Sequence, residues 1–196
     1  MSSSNHFSKA LYFQTLANQK LSFSRRLLSL CPPLNDELAI EERLQQMAIL
    51  DSAVAQQYAA LRYFLFEMAT EYQLTLNPKI FYFNEFEAVF AKADVPVALW
   101  EELVVLKKQR NSWLATLLIF FEEPLMLAER FKHIREEDVD SDTAESHAKK
   151  SNLITTVNVS DESSNVGQLN PFEEISAISD QLQGVIDRYR AQLVED

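Results

Sequence analysis

The sequence predicts an all-α protein: an elongated antiparallel bundle of four to five helices, then an acidic linker and a C-terminal amphipathic helix. Three observations carry that expectation. Only two glycines, Gly167 and Gly184, occur in 196 residues, so the residue that most readily opens tight turns is nearly missing. Positions 36–76 run without Gly or Pro. Apolar residues recur at steps of three and four, the period of a helix with one buried face.

The first helix is expected from Ser4 or Asn5, either a good N-cap, to about Leu30, where Cys31-Pro32-Pro33 stops it. Its seam is Phe13, Leu16, Phe23, Leu27 and Leu30, with Lys20 in one slot. Asn35 or Asp36 caps the second helix, whose seam of Leu44, Met47, Val54, Tyr58, Leu61, Leu65, Met68 and Tyr72 carries Asp51 in a gap. About 38 helical residues measure ~57 Å. A compact body of this size should be only ~35–40 Å across, hence the elongated shape. The short connection between the two helices makes them an antiparallel hairpin.

Asn77-Pro78 ends the second helix, and Ile80-Phe81-Tyr82-Phe83 reads as an extended connector or short strand that inserts aromatics into the bundle end. Asn84 with Glu87 forms a capping-box pattern for a short helix to about Lys92. Pro96 suits a first helical position. One helix then carries Leu99, Leu103, Leu106, Trp113, Leu117 and Phe120, with Arg110 in its seam, until Pro124 kinks or ends it. A second apolar row, Val104, Leu114, Leu118 and Phe121, marks it as the most buried helix. A further helix is expected over 125–135, completing a bundle at 4–135. Residues 136–170 read as a solvated linker with a possible extended clip at 153–159. Asn170-Pro171-Phe172-Glu173 opens an amphipathic helix over 171–194, which docks on the bundle or on a partner.

Charge separates the body from the last third. Residues 1–135 hold 14 basic and 15 acidic groups, whereas 136–196 hold 4 and 14. That acidity argues against nucleic-acid binding and against anionic membranes. The longest apolar run, Trp113 to Phe121, is half of a membrane span, and the N-terminus lacks the pattern of a signal peptide. A soluble cytoplasmic protein follows. The glycine count excludes phosphate-cradling loops, and Cys31 alone forms neither a disulfide framework nor a thiolate cluster. His6, His133 and His147 are too dispersed for a metal site, and the paired Glu-x-x-His motifs of di-iron bundles are absent. Glu67 and Glu71 share a face and read as surface. No metal, cofactor or catalytic residue is assigned.

Lys20, Asp51 and Arg110 stand where the seams want apolar side chains. In a hairpin folded near residue 33, Lys20 and Asp51 come within about one helical turn, and Arg110 could complete an anion pocket with Asn18 and Gln19 as hydrogen-bonding neighbours. A structural ion pair that fixes helix register explains the same residues with no ligand, and is preferred. The C-terminal helix offers Phe172, Ile175, Leu182, Ile186 and Tyr189 as a face for a protein partner or a second copy.

Asn18-Gln19-Lys20-Leu21 on a first helix rich in Tyr and Phe, a long Ala-rich second helix, Ser112-Trp113-Leu114, and Ser151-Asn152-Leu153-Ile154 ahead of the last helix follow one another in a recognisable order. The chain thereby resembles an uncharacterised family of small gammaproteobacterial proteins of unknown function. The resemblance implies an all-helical bacterial cytoplasmic protein and supplies no activity. The expected function is a non-enzymatic adaptor or regulator; the alternative is a ligand-binding bundle or enzyme around Lys20, Asp51 and Arg110.

Overall fold

A computed structural model describes residues 3–32, 40–93, 97–124, 127 and 170–195. The described residues are all-α, with six helices: α1 (Ser3–Ser29), α2 (Ile40–Glu71), α3 (Phe83–Phe90), α4 (Ala98–Lys108), α5 (Trp113–Glu122) and α6 (Pro171–Glu195). The expected helix at 125–135 (apart from buried Leu127), the start at Pro96, the linker at 136–169 and the clip at 153–159 lie outside them.

The α1–α2 hairpin is the frame. The inner face of α1 is Ala10, Ala17, Leu21, Ser24 and Leu28, all buried and mostly small, which lets the two backbones approach closely. Phe13 stacks on Phe66 at 5.2 Å between ring centroids, and Gln46 donates from Nε2 to the Pro32 carbonyl at 3.1 Å. These two points fix an antiparallel register.

At about 48 Å by helical rise, α2 is the central helix. From Gln57 to Thr70 most of its residues are buried, because α1, α5 and α6 each cover one side. It ends at Glu71, five residues before the expected Leu76. Gln73 takes a left-handed φ of 55°, its N–H bonds to the Thr70 carbonyl, and the Leu74 N–H bonds to the Ala69 carbonyl. This is a Schellman closure built on glutamine where glycine is usual.

The connector differs from its expected form. Ile80 and Phe83 are buried, but Phe81 and Tyr82 face outward, and the segment forms no strand. α3 begins at Phe83 rather than after Asn84, since the Glu85 carboxylate accepts from the Phe81 and Tyr82 N–H groups, both at 2.7 Å. Those two bonds hold its pKa below the ordinary value.

The expected single helix after residue 97 is two helices. Ser112 is the N-cap of α5: its Oγ accepts from the Ala115 N–H at 3.1 Å and donates to the Leu106 carbonyl in the last turn of α4, which also accepts from the Gln109 N–H at 3.1 Å. One serine thus serves both helix ends, and the turn needs neither Gly nor Pro. α5 is apolar all round and carries seven buried residues among its ten.

α6 closes the core. The Asn170 side chain accepts from the Glu173 N–H at 2.9 Å, as the sequence predicts, and Pro171 opens the helix. α6 runs parallel to α2, with Gln57 Nε2 donating to the Ile175 carbonyl at 2.8 Å. It runs antiparallel to α1, where Arg25 meets Asp180 at 3.3 Å.

Candidate functional site

The register of the hairpin decides the fate of the expected polar cluster. With Phe13 against Phe66, Lys20 lies across from the region of Tyr58, and Asp51 from that of Leu27. The two are then ~10 Å apart along the axis. Asp51 points outward, and Arg110 stands exposed in the turn between α4 and α5. Lys20 is half-buried, its Nζ 5.8 Å from the centroid of Phe23. Among the described residues nothing joins the three, because α2 is offset along α1 relative to a hairpin folded at residue 33 and because Arg110 has left the helix.

Asn18 and Gln19 part company. Gln19 is exposed. Asn18 Oδ1 accepts from Arg190 at 2.8 Å, and the same guanidinium grips Glu67 through Nε–Oε1 at 2.9 Å and a second contact at 2.8 Å. Glu67, read from sequence as surface, is 3% exposed. One arginine therefore ties α1, α2 and α6 together in a geometry that only a planar guanidinium satisfies. Glu71, one turn beyond Glu67, is held above the usual carboxylate range by desolvation and by the Glu67 charge. The Tyr189 hydroxyl is buried with no hydrogen-bond partner, and desolvation pushes its pKa far up.

The face of the last helix offered to a partner is inside the molecule. Ile175, Leu182 and Ile186 are fully buried, Tyr189 packs edge-on against Phe64 at 5.4 Å, and Phe172 is half-buried against the core. The helix docks on its own bundle through these side chains.

A protein-family model described as a family of unknown function, DUF6586, matches residues 13–195. The chain belongs to the DUF6586 family. No curated protein and no solved structure matches it.

On this DUF6586 bundle the apolar surface left open is on α1. At 100° per residue, Tyr12, Leu16, Gln19, Phe23 and Arg26 fall in one outer stripe, roughly opposite the inner face at Ala17, and Leu30, in the turn just past the helix, continues the spacing. Tyr12 is 60%, Phe23 45% and Leu30 64% exposed. The steps between these positions are the four-three alternation of a helix-pairing seam. Sequence reasoning placed Leu16, Phe23 and Leu30 in the core seam and missed that α1 has two. The inner one is made of alanines, which a search for large apolar residues passes over.

A second aromatic surface is shallow. Phe81, Tyr82, Asn84, Phe121 and Glu122 line an open depression of about 340 Å³. Its floor is structural: Tyr58 stacks on Phe121 at 3.7 Å and donates its hydroxyl to the Phe81 carbonyl at 2.8 Å. Arg62 lies over Tyr63, Phe66 and Phe81 while donating to the Ile80 carbonyl at 2.7 Å. Among the described residues no cluster of His, Cys, Asp and Glu could hold a metal. None of the described helices is long and apolar enough to cross a membrane.

Proposed function

We propose that this DUF6586 protein is a non-enzymatic interaction protein, an adaptor or regulator of the bacterial cytoplasm, working through the outer face of α1. The observation that carries the reading is the stripe of exposed Tyr12 and Phe23 with half-buried Leu16 between them, continued by exposed Leu30 just past the helix, on a helix whose other face is packed. Three large apolar side chains at 45–64% exposure along one stripe are the pattern of a surface completed by another helix. The bundle holds α1 rigid, so its stripe is presented without an ordering cost at the moment of binding. The partner is a protein; the acidic last third argues against nucleic acid and anionic membrane as direct ligands.

The test is affinity capture from the native host with the full chain and with its Tyr12→Ser/Phe23→Ser form, followed by mass spectrometry. A partner retained by the first and lost by the second supports the reading. Retention of the same proteins by both would remove α1 from the interaction and the reading with it.

A further inference from the structure

The chemistry flanking the α1 seam specifies what it fits. The first Asp or Glu in the sequence is Asp36, so α1 contains Lys9, Lys20, Arg25 and Arg26 and no acidic residue. Arg25 is on the side facing α6 and is paired with Asp180. The other three border the stripe: Lys9 and Lys20 lie along one edge, and Arg26 within it near the other. Lys9 and Arg26 are exposed, and no ion pair engages either them or Lys20 among the described residues. In a chain of net charge −11 this is a local cationic surface on an apolar track.

We propose that this face of α1 binds an acidic amphipathic helix of a protein partner, with Tyr12, Leu16, Phe23 and Leu30 meeting its apolar stripe and Lys9, Lys20 and Arg26 meeting its carboxylates. The inference rests on the interaction reading above and names the class of partner. A second copy fits less well, since pairing α1 with α1 brings six flanking cations together with no anion from either helix, and like charges in register oppose association. An acidic helix satisfies both the apolar area and the charge.

The experiment is selection on the full chain from displayed helical peptides of about 16 residues, with Leu fixed at i, i+3, i+4 and i+7 and the flanking positions randomised. Asp and Glu should be enriched at the flanks. A selected peptide, synthesised and labelled, should lose about tenfold or more in affinity on Tyr12→Ser/Phe23→Ser, with the circular dichroism and melting of the protein unchanged. Lys20→Glu/Arg26→Glu should reverse the preference toward a Lys-flanked version of the same peptide. Enrichment without charge bias would overturn the acidic class while leaving the interaction reading in place, whereas peptides that ignore Tyr12 and Phe23, or no enrichment at all, would sink both. Three further outcomes overturn the proposal: dimers in sedimentation velocity that the Ser substitutions abolish; flotation with phosphatidylserine vesicles that they abolish; and peptide binding that emerges only when the acidic residues of 136–145 are neutralised.

Discussion

Arg190 and Glu67 form the most deeply buried of the ion pairs described above. Both charges are withdrawn from water, with side-chain exposures of 17% and 4%; they satisfy each other through two hydrogen bonds, and Arg190 donates a third to Asn18. Arg190→Met leaves a buried carboxylate alone and should cost ~3–5 kcal/mol in urea unfolding. Glu67→Leu with Arg190→Met should recover most of that loss, because the double change removes the desolvation penalty together with the attraction. Nothing local in the sequence announces the pair: its members are 123 positions apart, and Glu67 with Glu71 has the spacing of an ordinary solvated face.

The titrating neighbours of that pair give two signed expectations. Glu71 has its folded-state pKa raised, so its charge opposes folding above that pKa, and the opposition is relieved as pH falls toward the unfolded value of ~4.3. Glu71→Gln should therefore raise the melting temperature at pH 7 and make no difference near pH 4. Tyr189 is also raised. Its phenol stays protonated in the fold while the unfolded chain ionises above ~10, so stability falls as pH climbs past 10. Tyr189→Phe should flatten that alkaline slope in pH-dependent denaturation, and at neutral pH it should be neutral or slightly stabilising because the hydroxyl has no partner to lose.

At the scale of elements, the ends matter more than the middles. Spacing revealed the helices themselves, since residues such as Leu61, Leu65 and Leu117 recur at the helical period and are buried. The ends at Glu71 and Lys108 were hidden because neither uses Gly or Pro. A glutamine at φ 55° does the work of glycine after α2, and a side-chain cap divides α4 from α5. Replacing Gln73 with Gly should add ~0.5–1 kcal/mol to stability by relieving the left-handed residue. Ser112→Ala should cost ~1 kcal/mol, the usual loss for a cap, since the Leu106 carbonyl keeps the Gln109 N–H as a donor. Thermal or urea unfolding checks both, and a Ser112→Asp variant should keep the cap of α5 while losing the bond to Leu106.

For the whole molecule, the last helix is core rather than appendage. The amphipathic pattern of α6 was legible, but its destination was not. An apolar stripe says that something covers it, and only the three-dimensional arrangement says what. The same arrangement moves the open surface to α1, where the sequence had shown only one seam. Lys20, Asp51 and Arg110 stay apart for a related reason. Lys20 and Asp51 are placed by their helices, and whether they meet depends on an offset set by the hairpin connection, which periodicity does not encode. A chain ending at residue 169 should accordingly lose its cooperative unfolding transition and bind a hydrophobic dye, because α2 would stand with Phe64 stripped of its contact with Tyr189.

The order in which the chain is made acquires weight from the path of α6. Residues that complete the core, Leu182 to Arg190, leave the ribosome after every residue they touch on α1 and α2. The hairpin must wait with an apolar groove open while more than a hundred intervening residues are added, and contacts of such long sequence separation close slowly. Chaperones and proteases that survey nascent chains therefore meet this molecule unfinished, and a message truncated anywhere before those codons yields an exposed hairpin rather than a shortened but folded protein.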